Sequence, residues 1–368
     1  MTAAGAAAGE RSPAGGVRGR RVDLSAPVLA LLGLGLAVLV LLPLGWLVVY
    51  AVTDKAGALT AGNFVRLATD PTFVTPFLTT LAIAIGVAAC SCLVAAPLAW
   101  LVARSDMPLR RTVRALVMAS FVTPPFLGAI AWEILAAPNS GILNQWYCWL
   151  FGLDPWDSPL DIYTVEGVVF VMTCYAFPYV FVLVANALDR IPADLEDASS
   201  ILGGGRWRTL RRITLPMTMP SLLAGALVAF LQAMTIFGSP AILVLPAGFH
   251  VLTTKIWSLF QYPPNPNLAA AASLPLLVVT VLLLQAQRRL LGRRGYTVVG
   301  GKSGAPRTVA LGMWGRWGAL AFAVLVLAFP VLLPYGALLK TALVRTASDP
   351  LTLDNMTLHN VAFVFGEF

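Results

Sequence analysis

Few side chains in this sequence have the types and spacing that chemistry needs. The only histidines, His250 and His359, lie far apart and lack the partners of a Ser-His-Asp or zinc-ligating pattern. Residues 295–303, GYTVVGGKS, approach a phosphate-binding loop. The pattern G-x-x-x-x-G-K-[ST] needs a glycine where Tyr296 stands; Gly295 comes one position too early, and no apolar helix follows directly. ATP chemistry, if it powers this protein, is therefore expected on another subunit. Cys90, Cys92 and Cys174 fall in apolar spans and Cys148 in a loop, without paired metal-ligand spacing. No catalytic residue, no metal ligand and no cofactor is assigned.

Three features remain. Glu133 is a carboxylate inside an apolar span, which makes it a functional candidate by default. It either faces a translocation path or reaches the interface, since Pro138 and Asn139 follow closely. Gln232 and Phe237, the latter in Phe237-Gly238-Ser239-Pro240, are further path candidates, although Gly-Ser-Pro also serves to kink a helix. The third feature is residues 189–220. Arg190, Arg206, Arg208, Arg211 and Arg212 join Asp189, Asp194, Glu196 and Asp197 there, between two apolar spans. A mere turn needs about five residues, so a stretch this long implies a partner.

The elements that position these groups follow from composition. The chain has 368 residues, 58% apolar and 11% charged, with mean hydropathy +0.80. Continuous apolar runs predict an all-α polytopic membrane protein and argue against a β-barrel, whose strands alternate. The net charge of +8 marks loops facing the cytoplasm rather than nucleic-acid binding. Spans are expected at 27–52, 75–102, 113–137, 165–188, 217–245, 268–287 and 317–344. With the amino terminus in the cytoplasm, 20 of the 25 Lys and Arg fall inside, as the positive-inside rule requires. Residues 138–164 lack Lys and Arg and carry Asp154, Asp157, Asp161, Trp146, Tyr147, Trp149 and Trp156. They read as an interfacial aromatic belt or as a surface for an extracytoplasmic partner.

Residues 1–24, rich in Ala and Gly, read as a disordered cytoplasmic tail rather than a signal peptide. A repeat is also visible. Pro43-Leu-Gly45 is echoed by Pro334-Tyr-Gly336, and Thr60-Ala-Gly-Asn63-Phe64 by Thr357-Leu-His-Asn360-Val361. The span at 317–344 then starts a second copy of the first six, with 291–316 as a cytoplasmic linker. Residues 25–290 form the first copy and 317–368 an incomplete second one.

Within 189–220, residues 193–201 have helix composition with acids in the first turn, and Gly203-Gly204-Gly205 stops them. A second short helix is expected at 206–213, with Leu215-Pro216 turning into the fifth span. The arginines either meet anionic lipid headgroups or belong to a docking element. Asp197-Ala198-Ser199, three residues, Gly203, nine residues, Ile213, Thr214 and Leu215-Pro216 resemble the EAA signature of permease subunits of binding-protein-dependent ABC importers. Asp stands for Glu and Ser for the second Ala. Residues 124–132 (PPFLGAIAW), 237–240, 251–257 (VLTTKIW) and Gly300-Gly301-Lys302 are similar to ferric-iron type permeases, which fuse two such domains.

The resemblance implies a type I ABC importer transmembrane domain of six helices, followed by the first helix of a second copy. It implies an inner-membrane, multi-pass protein that receives solute from an extracytoplasmic solute-binding protein. An ABC ATPase dimer would seat on the loop, and a second permease domain, in the same full-length chain or a homodimer, would complete the path. Carried over, Asp197, Ala198, Ser199 and Gly203 shape the coupling helix, while Ile213, Leu215 and Pro216 anchor it. Ferric iron is the expected solute; thiamine, polyamines, phosphonates and sulfate are the alternatives. A stand-alone secondary transporter or channel would need coupling residues within spans, where only Glu133 qualifies. A purely structural scaffold leaves the signature loop unexplained.

Overall fold

The computed structural model describes residues 25–292, 308–346, 352 and 354–367. The expected tail, most of the expected linker and the 295–303 stretch lie outside the described residues. The chain divides into two compact units at Val49 and Tyr50. The first unit holds most of α1 (Ser25–Ala51), which is apolar around its whole circumference, as a lipid-facing helix is.

The second unit begins with α2 (Gly62–Thr69) and α3 (Pro71–Arg104). It continues through α4 (Arg110–Ala119), α5 (Pro125–Ala136), α6 (Ile142–Phe151) and α7 (Val165–Asp189). Then come α8 (Ala193–Ile201), α9 (Arg206–Thr209), α10 (Leu215–Thr235), α11 (Gly238–Val244) and α12 (Leu252–Ser258). The last are α13 (Pro266–Gly292), α14 (Gly312–Leu327), α15 (Leu333–Ala342) and α16 (His359–Glu367). Among the described residues every regular element is helical. Six helices are long and apolar enough to cross a membrane, and the bent α4–α5 pair makes up to seven.

α3, α7 and α10 pack together at the centre. α7 is the most enclosed: Phe177 and Phe181 are fully buried, among Ile83, Val87 and Leu98 of α3. Small residues permit the close approach that van der Waals packing in a bilayer requires. A Cβ on Gly225 of α10 would lie 2.8 Å from the Val180 Cα, and one on Gly86 would lie 3.2 Å from Val169 Cγ2. The starts of two of these helices are capped. Asp70 accepts the Thr72 N–H (2.9 Å) ahead of Pro71, and Thr164 accepts the Gly167 N–H (3.0 Å).

Two expected spans differ. The third, 113–137, is not straight: α4 with its 3₁₀ extension and α5 meet at 98°. Pro124 and Pro125 hold Thr123 and Pro124 extended and start a new helix. The fifth, 217–245, breaks at Ile236, which is extended, and restarts as α11 with Pro240 in its first turn. The expected turn at Leu215-Pro216 is absent. A π-turn, Leu210–Thr214, joins α9 to α10, so residues 207–235 run as one helix. A proline within a helix removes one ladder bond and crowds the preceding turn, and a widened turn relieves it. The same device recurs at Ala328–Leu332, just ahead of Leu333-Pro334.

The two echoing segments adopt matching hydrogen bonds. Asn63 Nδ2 donates to the carbonyls of Ala51 and Thr53 (both 3.0 Å). Asn360 Nδ2 donates to those of Ala342 (3.5 Å) and Val344 (2.7 Å). Thr60 N–H reaches Val52 O and Thr357 N–H reaches Leu343 O, each at 2.8 Å. The Thr60 and Thr357 hydroxyls accept from Gly62 N (2.9 Å) and His359 N (3.0 Å). Asn63→Leu would take its donor from the Ala51 carbonyl, Thr53 O keeping Asn267 (3.0 Å), and Asn360→Leu would take one from the Ala342 and Val344 carbonyls, a loss of about 1–3 kcal/mol in each case. A lowered thermal-unfolding midpoint of the purified protein for both variants is the expected result.

Candidate functional site

Two regions gather the residues singled out in the sequence. The first is the α8–α9 segment. α7 ends at Asp189, whose carboxylate takes an ion pair from Arg114 of α4 (2.7 Å). After Pro192, α8 spans Ala193–Ile201, matching the helix expected there. Gly203 takes φ +76°, the left-handed region that favours glycine. Its N–H reaches Ser200 O (3.0 Å) while Gly204 N–H reaches Ser199 O (2.8 Å), closing the helix end. The hydroxyls of Ser199 and Thr209 meet at 2.8 Å, so α8 and α9 are clasped side to side. Asp197 lies half-buried in α8, its carbonyl accepting from the Ser200 hydroxyl (2.8 Å). Ala198 is exposed. Half-buried Ile213 sits in the π-turn, and Leu215 and Pro216 follow it at the start of α10.

Sequence reasoning missed what this clasp presents. Ile201 and Leu202 are each 84% exposed and Trp207 is 72% exposed. Ile201 and Leu202 close α8 and Trp207 lies in α9, so both arms of the clasp expose large apolar side chains, which suits a protein partner. An apolar Ile-Leu pair at the last turn of a charged helix, directly before three glycines, was the available signal. Gly204 was also missed. A Cβ there would collide with Ser199 Oγ and lie 2.7 Å from Ser199 O.

The second region is a cavity of about 40 Å³ among α3, α5, α7, α10 and α11, room for only a few waters. Val87, Pro125, Met172, Tyr175, Tyr179 and Gln232 are among its lining residues, with Ser239. Gln232 Nε2 donates to the Tyr179 hydroxyl (2.7 Å), and the Tyr179 ring sits edge-on to Phe121 (4.9 Å). The Tyr175 and Ser239 hydroxyls are buried without a hydrogen-bond partner. Among the described residues no carboxylate lines this cavity.

The three path candidates of the sequence are not brought together. Gln232 lines the cavity. Phe237 does not; it lies half-exposed with its ring 6.1 Å from that of Trp257. Glu133, near the end of α5, accepts the Tyr163 hydroxyl (2.7 Å). Burial first, and then the Glu133 carboxylate, raise the Tyr163 phenol, so it remains a donor to Glu133. At the same end of α7, residues 142–151 form α6 rather than a loop, and Cys148 is buried within it. Trp146, Trp149 and Trp156 are 71%, 84% and 80% exposed. His250, in the loop before α12, is held below its ordinary value by burial and by Lys255.

Comparison with known proteins bears on both regions. The family described as "Binding-protein-dependent transport system inner membrane component" matches residues 95–296, which include α8 and most of the cavity. The Molybdenum transport system permease protein ModB of Escherichia coli K12 is 25% identical over 197 residues, covering 52% of this chain and 83% of that protein. The Ferric transport system permease protein FbpB of Actinobacillus pleuropneumoniae is 27% identical over 258 residues, covering 67% of this chain but 34% of that protein. In fold, the chain is similar to a bacterial ABC transporter that imports alginate, with TM-score 0.61 at 18% identity. That match covers 75% of this chain and 97% of the other.

Proposed function

For a chain that belongs to the family of binding-protein-dependent transport system inner membrane components, we propose that the α8–α9 clasp is the coupling element of an ATP-driven importer. One observation carries this reading: the segment at the signature position is closed on itself by hydrogen bonds yet exposes Ile201, Leu202 and Trp207. An ATPase dimer in separate subunits seats on that surface from the cytoplasm. In this reading the amino terminus is also cytoplasmic, which puts 20 of the 25 basic residues inside. The α6 end, with its exposed tryptophans and Asp154, Asp157 and Asp161, then faces an extracytoplasmic solute-binding protein.

The cavity that includes Gln232, Tyr175, Tyr179 and Ser239 is the closed state of the path. At about 40 Å³ it has room for a few waters but not for a hydrated or ligated ion, so passage requires α7 and α10 to separate. Rigid-body motion of α8, delivered through α7 and the continuous 207–235 helix, supplies that separation. Gln232→Leu is expected to lower uptake several-fold with ATPase association unchanged, because it strips the Tyr179 hydroxyl of its donor.

Ferric iron is the proposed solute. The matched Asn63 and Asn360 geometries support a second permease domain fused after the first, the two-domain arrangement of ferric-iron type permeases. A tetrahedral oxyanion is the second reading, favoured because the polar groups among the described lining residues are three hydroxyls and one amide, with no carboxylate. Uptake by proteoliposomes holding the full complex separates them. Accumulation of radiolabelled iron with no accumulation of molybdate or sulfate supports the first reading; the reverse result replaces it with the second.

A further inference from the structure

The joint where α3 ends gathers charged groups that the proposed function leaves unused. Arg104, the last residue of α3, is 1% exposed and is the largest of the fully buried side chains among the described residues. Its Nη2 donates to the carbonyls of Leu188 (2.7 Å) and Ile191 (2.9 Å). These carbonyls lie at the C-terminal end of α7, where orphan acceptors and the helix dipole favour a cation. α8 begins two residues after Ile191.

The backbone of the same turn grips a third element. Arg104 O accepts the Val309 N–H (2.7 Å) and Asp106 N donates to Val309 O (3.3 Å). The Asp106 carboxylate accepts the Leu311 N–H (2.9 Å) and pairs with Arg316 of α14 (3.7 Å). An open cavity of about 540 Å³ adjoins the joint, walled by Trp100 of α3, Trp207 and Thr209 of α9, and Thr308 and Leu311. Residues 104–106 thus hold, within a few ångströms, the root of α8 and the lead into α14.

We propose that Arg104 is a positioning residue that fixes the root of the coupling segment to α3, and that Asp106 relays the same position to the start of the next span. This rests on the reading of α8–α9 as the docking element. Without the guanidinium, residues 189–192 keep the Arg114–Asp189 pair, whose side chains are about a third exposed and which is therefore weak. Force on α8 is then taken up by local bending instead of reaching α3 and α14.

The test uses the whole complex in proteoliposomes with its binding protein, reading solute transported per ATP hydrolysed for Arg104→Gln, Arg104→Lys and Asp106→Asn. Arg104→Gln should keep its ATPase subunits and keep hydrolysing ATP while transport per ATP falls about tenfold. Arg104→Lys, which retains a cation that donates to both carbonyls, should recover much of that loss. A merely structural role would lower protein yield without moving the ratio. An unchanged ratio in Arg104→Gln overturns the proposal, as does a loss that Arg104→Lys fails to reverse. If Arg104→Gln does not accumulate, Asp106→Asn carries the test: its ratio must fall, and a wild-type ratio overturns the relay. A wild-type chain that brings down no ATP-hydrolysing subunit is a separate result, which removes the docking reading itself.

Discussion

Gly204→Val is expected to strip the ATP-hydrolysing subunit from the purified protein while leaving the chain inserted in the membrane. The cause is local and steric. Any Cβ at this position collides with the Ser199 hydroxyl and meets the Ser199 carbonyl at 2.7 Å, and the carbonyl belongs to the helix backbone and cannot turn aside. The clash therefore breaks the bond between Gly204 N–H and Ser199 O (2.8 Å) and opens the Ser199–Thr209 clasp (2.8 Å). Ile201, Leu202 and Trp207 then lose their fixed relation. A surface that must be ordered at the moment of docking binds more weakly. Co-purified ATP hydrolysis should drop about tenfold or more, which corresponds to roughly 1.4 kcal/mol of binding. Gly205→Ala is the control, because a Cβ there meets nothing within 4 Å. Equal loss in both variants would show that the glycines act through chain flexibility rather than through the clasp.

Gly225→Leu is expected to damage the protein itself. A Cβ at Gly225 would lie 2.8 Å from the Cα of Val180, so the contact is backbone against side chain and only a shift of α10 relieves it. These two helices, with α3, form the centre of the bundle. Overpacking a well-packed interior costs typically about 1–3 kcal/mol, and more when no rotamer yields. Thermal unfolding in detergent should show a clear loss for Gly225→Leu and a smaller one for Gly225→Ala. A wild-type midpoint for Gly225→Leu would mean that α7 and α10 are not in close contact in the membrane.

The sequence revealed some elements far better than others, for identifiable reasons. α8 was legible to the residue because its limits are local: Pro192 before it, acids in its first turn, glycines after it. The echo between the two Thr/Asn turns was legible because Asn63 and Asn360 do the same local work, donating to the carbonyls at the end of the preceding helix. The break at Thr123 was not, although Pro124-Pro125 was in view, whereas Gly238-Ser239-Pro240 did signal the kink that the structure places at Ile236. A hydropathy window sums apolar character and is blind to direction, so two short helices meeting at 98° read like one span. The path candidates fared least well. Which side chains share a cavity is decided by packing among helices distant in sequence, and Tyr175, Tyr179 and Ser239 carry no local mark of it. Arg104 likewise reads as one more basic residue at a span's end, because its carbonyl partners lie 84 and 87 residues further along.

Docking of an ATPase on the α8–α9 clasp is open to a site-specific cross-link. A photo-crosslinking amino acid would replace Leu202, which is 84% exposed, in the complex as it exists in native membranes. ATP-binding subunits would be marked separately with a photoreactive ATP analogue. A cross-linked product that carries the ATP label is expected, and its loss when Gly204→Val is added. Cross-links from position 202 to lipid alone, with the labelled ATPase recovered free of this chain, would contradict the docking.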